Sequence, residues 1–169
     1  MATRAAASAP LLAGDVGATK TNLALFTAAG GALTPVAEAH FENAGYAGLA
    51  DVVQAFLAGG KSVPAAACFG VAGPVDDGSA RMPNLGWLID VQDLGRRLAL
   101  ERVVLLNDLE ATAHGIATLA PDQLVVLNAG APPASGNAAL IAARRPALRL
   151  PPCRPGRRRH PEAPSSARG

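Results

Sequence analysis

The chain has little of what marks secreted, zinc-bound or membrane-spanning proteins. Its 169 residues include two cysteines, Cys68 and Cys153, too few and too far apart for a disulfide framework or a zinc-ligand spacing. Such usage fits a reducing compartment, and Cys68, inside the apolar run 65–71, is expected to be a buried thiol. The three histidines, His40, His114 and His160, share no ligand spacing. No run approaches the ~18 apolar residues of a membrane span, and residues 1–10 lack the apolar stretch of a secretion signal. A cytoplasmic location without a membrane partner is therefore expected, and residues 1–10 read as a disordered extension. No repeat of fixed period is present, which removes the repeat architectures.

What is present divides unevenly. Half of the residues are apolar, enough for residues 11–143 to bury a core. Up to Ala143 there are 7 basic and 12 acidic residues; from Arg144 to Gly169 there are 8 and 1. An acidic body thus carries a basic appendix, and the pI of about 8.8 describes neither part. The last 26 residues contain eight arginines, six prolines and no lysine. Recurrent proline cannot sustain a helix or a central strand. Arg157-Arg158-Arg159 would attract nucleic acid only nonspecifically, and no aromatic residue accompanies it, so no specific nucleic-acid partner is expected.

Within the body, 11–16, 22–27 and 33–39 read as strands joined by small-residue turns, antiparallel at the start. Residues 46–57 have a helical apolar period ended by Gly59-Gly60. Residues 65–71 read as a buried strand and 73–78 as a turn. Asp90 is the expected N-cap of a helix to Leu98, with Asp93 at the capping-box position. A strand over 103–106 leads through Asn107-Asp108 into a helix over 109–119, and 124–127 and 138–143 read as further strands. Strands alternating with helices indicate an α/β fold.

Three constellations carry chemistry. The first, Gly14-Asp15-Val16-Gly17-Ala18-Thr19-Lys20-Thr21, lies between two strands. Its amides and the Thr19 hydroxyl suit phosphate oxygens, and Asp15 suits Mg2+; an ordinary hairpin turn is the plain alternative. It matches neither G-x-G-x-x-G nor the Walker A loop. In the second, Asn107-Asp108 ends an apolar strand, the usual edge for ligands in α/β folds. Asp108 there is either a proton acceptor for a substrate hydroxyl or simply an N-cap. Glu110 reads as a first-turn acid favoured by the helix dipole. The third pairs Gly70-Val71-Ala72-Gly73-Pro74 with Met82-Pro83-Asn84-Leu85-Gly86-Trp87. Gly70 and Gly73 admit a close strand or ligand, Asn84 suits a sugar hydroxyl, and Trp87 is expected to pack the loop onto the core. His114 reads as a packing or surface residue.

In order and spacing, these motifs resemble the bacterial ATP-dependent glucokinase family of the actin-like sugar kinase and hexokinase superfamily, over roughly residues 11–143. The resemblance implies an actin-like, ribonuclease H-like α/β domain with a mixed sheet over 11–118. The start of an incomplete larger domain would follow over 119–143, and a disordered tail over 144–169. It implies ATP and Mg2+ at Gly14, Asp15, Val16, Gly17, Ala18 and Thr19, with Asp15 toward the metal. It further implies glucose hydroxyls on Asn84 and Asn107, and Asp108 as the base for the glucose 6-hydroxyl. Homodimers are implied for the full-length family.

Two departures stand out. Ala18 occupies a position where the family commonly has glycine. The family's second Gly-Thr-Gly phosphate loop is replaced by Arg144-Arg145-Pro146, with no Glu-x-x-His after it. The expectation is a truncated glucokinase without turnover, its tail having the composition of out-of-frame translation of GC-rich DNA or, alternatively, of a basic tail. A kinase for another hexose and a non-catalytic sugar-binding fragment are the competing readings.

Overall fold

A computed structural model describes residues 9–128, 130 and 140–142. Period-two burial sets up its central sheet. In β1 (Leu11–Val16), Leu12, Gly14 and Val16 share one face; in β2 (Lys20–Ala29), Thr21, Leu23 and Leu25 do; in β4 (Ala66–Val71), Ala67, Phe69 and Val71 do. Register aligns them in rows across the sheet, Leu25–Leu12–Ala67, Leu23–Gly14–Phe69 and Thr21–Val16–Val71. β3 (Ala32–Glu42) and β8 (Arg102–Asn107) complete the order β3-β2-β1-β4-β8. β1, β2 and β3 are antiparallel neighbours, whereas β1, β4 and β8 run parallel. The expected mixed α/β sheet is thus present.

Two helices join this apolar layer. In α1 (Leu49–Leu57), Leu49, Val52, Val53 and Phe56 recur at helical spacing and are buried, one apolar stripe of an amphipathic helix. It begins three residues later than the expected 46–57, because Asn43–Gly45 forms a short 3-10 turn and Gly48 is its N-cap. α2 (Val91–Leu98) starts where expected: the Asp90 side chain accepts from the Asp93 amide at 2.8 Å. Leu94 and Leu98 enter the same core, and Arg97 reaches Asp51 of α1 at 2.6 Å.

The turns expected within 73–78 and 82–87 are present at 77–78 and 83–86, but short strands that the turn reading omits flank them. β5 (Val75–Asp76), β6 (Ser79–Met82) and β7 (Trp87–Asp90) form a second, antiparallel sheet. Asp77 and Gly78, with φ of 44° and 73°, make the two-residue turn whose twist suits a hairpin. Ala80, Met82, Trp87 and Ile89 are buried in the common core, so Trp87 packs rather than stacking on a ligand.

α3 (Asp108–Ile116) is shorter than the expected helix. It presses on β4 at Gly70, where an added Cβ would stand 3.0 Å from Cβ of Ala111. The close neighbour of Gly70 is therefore the helix, with the Gly14 carbonyl of β1 next at 3.9 Å. Cys68, on that same outer side of β4, is half-buried rather than buried. Burial pushes its thiol pKa up, and the charge of Glu110 adds to the rise. Residues 124–127 form no strand; no neighbouring strand among the described residues pairs with them, and a strand needs such a partner. Of the strand expected over 138–143, residues 140–142 are described and carry no strand, and the others lie outside the described residues. Of the extension expected over 1–10, residues 1–8 lie outside the described residues, whereas the Pro10 carbonyl accepts from the Ala65 amide at 2.9 Å; the tail over 144–169 lies outside them too. No helix among the described residues is long and apolar enough to cross a membrane.

Candidate functional site

Parallel pairing brings the constellations together. Val16, Val71 and Asn107, the last residues of β1, β4 and β8, lie side by side in register. The segments that follow them, 17–19, 72–74 and Asp108, therefore leave the sheet along one edge, the carboxyl end where α/β folds bind ligands. The Ala72 amide donates to the Val16 carbonyl at 3.1 Å and the Asn107 side-chain amide to the Gly73 carbonyl at 2.8 Å. Segment 72–74 is thus tied to the ends of both neighbouring strands.

The first constellation divides into strand and turn. Gly14 lies inside β1, where an added Cβ would meet Phe69 at 2.5 Å and Leu23 at 2.9 Å; packing alone accounts for its glycine. Val16 is fully buried. Asp15 is exposed beside them and accepts from the Asn22 side-chain amide at 3.1 Å; the Asn22 oxygen meets His40 Nδ1 at 2.7 Å. The turn is Gly17-Ala18-Thr19, closed by the Gly17 amide on the Lys20 carbonyl at 2.9 Å. Ala18 and Thr19 are exposed, and among the described residues no hydrogen bond takes their amides.

One residue of this region belongs to none of the three constellations. Asn43, 1 % exposed, donates its backbone amide to the Thr19 carbonyl at 2.9 Å and its side-chain amide to the Gly17 carbonyl at 2.9 Å. It also accepts from the Thr21 hydroxyl at 2.7 Å. Its side-chain partners lie 22 and 26 residues away, so no local pattern in the sequence announces it.

At the other end of the edge the N-cap of α3 is Asn107, not Asp108. Its side-chain oxygen accepts from the Leu109 amide at 3.0 Å, and Asp108 Oδ1 accepts from the same amide at 2.9 Å. Asp108 is half-buried and lines a depression of about 470 Å³ with Ala72, Gly73, Pro74, Asn107 and Leu109. Ala72 also borders a smaller hollow of about 30 Å³ with Ala18, Pro83 and Asn84. Asn84 is exposed in the turn between β6 and β7. Turn, Asn84 and Asp108 thus border two hollows that share one wall residue. His114 is exposed on α3, and Glu110 lies in its first turn. Among the described residues no group of three or more His, Cys, Asp or Glu side chains could hold a metal by itself.

The sequence model of the glucokinase family matches residues 12–144. The chain belongs to the glucokinase family. Among relatives, the glucokinase of Nostoc punctiforme is 36% identical over 124 residues, covering 72% of this chain and 36% of its own length. That of Synechocystis sp. is 38% identical over 143 residues, covering 78% and 40%. A crystal structure of glucokinase from an Antarctic psychrotroph superposes with a TM-score of 0.63 at 29% identity, over 72% of this chain and 39% of that one. The glucokinase of Balamuthia mandrillaris, solved in complex with glucose, has a TM-score of 0.52 at 23% identity, over 72% of this chain and 36% of its own, and shares the fold. The chain therefore spans 36–40% of the length of these glucokinases. Its sheet is that of the actin-like fold, as the sequence resemblance implies.

Proposed function

We propose that this chain carries the first phosphate loop and the general base of a glucokinase, which transfers the γ-phosphoryl group of ATP to the 6-hydroxyl of glucose. The carrying observation is the register of Val16, Val71 and Asn107, which puts the turn 17–19 and Asp108 on one sheet edge. The free amides of Ala18 and Thr19 and the Thr19 hydroxyl suit phosphate oxygens, and Gly17 lets the backbone approach them. Gly14 and Val16 support this turn from the strand. Asp15 supplies one exposed carboxylate, which fits Mg2+, an ion commonly held by one or two carboxylates, substrate phosphates and water. When bound, Mg2+ supplies neutralisation of phosphate charge.

Asn107 has one amide hydrogen and one oxygen lone pair left after its two contacts, and Asn84 has its whole amide; both suit sugar hydroxyls. Asp108 takes the proton of the 6-hydroxyl as the hydroxyl oxygen bonds to the γ-phosphorus and the bond from that phosphorus to the departing ADP breaks. The Leu109 amide orients the Asp108 carboxylate through Oδ1. Positioning of the hydroxyl against the phosphoryl group supplies the remaining part of catalysis.

Titration of the 15N-labelled chain tests this reading. Glucose is expected to move the side-chain amide signals of Asn84 and Asn107, and Mg·ATP the backbone signals of Ala18 and Thr19. D108N keeps both responses and lowers any glucose 6-phosphate formation in a coupled assay by at least about 100-fold. A glucose response without an Mg·ATP response would make this a sugar-binding chain; larger shifts with another hexose would change the substrate. No response to either ligand would overturn the proposal.

A further inference from the structure

The turn 17–19 has no apolar side chain of its own to hold it, yet its shape is fixed from beneath. Both carbonyls of the turn that find partners find them on Asn43: Gly17 on the side-chain amide and Thr19 on the backbone amide, each at 2.9 Å. The orientation of the Asn43 side chain is not arbitrary. A carbonyl only accepts, so the atom facing Gly17 must be the nitrogen, and the Thr21 hydroxyl donates to the remaining oxygen. The site is fully enclosed, with Thr21 and Asn43 the buried polar residues among the described ones, and no buried side-chain polar atom lacks a partner.

Peptide geometry carries this contact outward. In a trans peptide the C=O of one residue and the N–H of the next point in opposite directions. Drawing the Gly17 carbonyl inward onto Asn43 therefore turns the Ala18 N–H away from Asn43 and outward. Without that bond, the Gly17–Ala18 peptide could rotate, because Gly17 imposes little conformational restriction. We propose that Asn43 is the positioning residue of the phosphate turn: it holds the Ala18 amide ready as a donor to an anionic phosphate oxygen. This inference rests on the phosphate reading of the turn given above.

The test compares Mg·ATP affinity in the wild-type chain, N43A, N43D and V53A, each confirmed as folded by its amide spectrum. N43A removes the side-chain anchor on Gly17 and leaves the backbone bond to Thr19, and N43D keeps the shape but sets a carboxylate oxygen against the Gly17 carbonyl. Both are expected to bind Mg·ATP about tenfold more weakly, the equivalent of one buried hydrogen bond, with the Ala18 signal displaced before ligand is added. V53A removes two methyl groups from the buried face of α1 and leaves the Asn43 contacts in place; it is expected to lower stability without changing affinity. That contrast separates positioning from mere loss of stability. If N43A and N43D do not fold, T21V takes their place, since it removes the donor that fixes the Asn43 amide; about threefold weaker binding is expected. Wild-type affinity in the folded Asn43 variants, or in T21V where it replaces them, would overturn the role of Asn43. Failure of the wild-type chain itself to move its Ala18 and Thr19 signals with Mg·ATP would overturn the phosphate reading, and the role of Asn43 with it.

Discussion

Gly14 and Asn107 show how single residues at one sheet edge do unlike work. Asn107 uses its amide hydrogen on Gly73 and its oxygen on Leu109, so it joins two segments and caps a helix at once. Gly14 contributes the absence of a side chain. It faces the buried Phe69 ring, whose nearest carbon would stand 2.5 Å from an added methyl. Phe69 is fully enclosed and cannot swing aside, so G14A is expected to destabilise the fold by about 1–3 kcal/mol, the usual effect of overpacking a filled core. Urea unfolding would measure it, and unchanged stability would show that the β1–β4 pair can yield. Sequence alone assigned Gly14 to the phosphate loop by resemblance; its packing role depends on a neighbour on another strand, which no local pattern contains.

Elements show where local signals suffice. Asp90 was recognisable as a cap because a helix start is written within four residues, and the structure has its carboxylate on the Asp93 amide. That amide, and next the Ser79 hydroxyl, hold the Asp90 pKa below its ordinary value. A lowered folded-state pKa stabilises the fold above the unfolded value of 3.8. This contribution is lost as pH falls from there through the folded pKa. In D90N the acid-side decline of thermal stability below about pH 4 is expected to be shallower than in wild type; identical profiles would remove Asp90 from that decline.

The long strands β1, β2, β4 and β8 were legible because each carries a run of apolar residues with turns at its ends. β5, β6 and β7 have two to four residues each, too few for alternation to stand out, although Asp77-Gly78 was a hairpin signal in plain view. The start of α1 was misplaced because Tyr46 fits the apolar period, whereas the glycines at 45 and 48 set the boundary. Of the candidate site, the Asn107-Asp108 edge was readable from an apolar strand ending in two polar residues. Asn43 was not, since its meaning lies in contacts more than twenty residues away.

At the scale of the molecule, one side is well covered and another is not. The core gathers β1, β2, β4 and β8 with α1, α2 and the second sheet, whereas α3 buries none of its residues. Leu109, Ile116, Leu119 and Leu124 are 40–49 % exposed, and Val125, Val126 and Leu127 are 77–95 % exposed. Exposed apolar side chains in this number favour association. The chain is expected to enhance the fluorescence of an apolar dye and to self-associate in sedimentation, both reduced in a V125S/V126S/L127S variant; equal dye binding by the two would disprove this. α3 also behaves as a lever with its fulcrum at Gly70. Ala111 rests there, with Asp108 ~4.5 Å along the axis on one side and Ile116 ~7.5 Å on the other. The proposed base sits on the short arm, which Asn107 also fastens, so a tilt that carries the apolar far end through a given distance displaces Asp108 by little more than half that distance. A shift of the far end therefore reaches the proposed base at about 0.6 of its size, and the transmission depends on Gly70, where a side chain would push Ala111 off its rest.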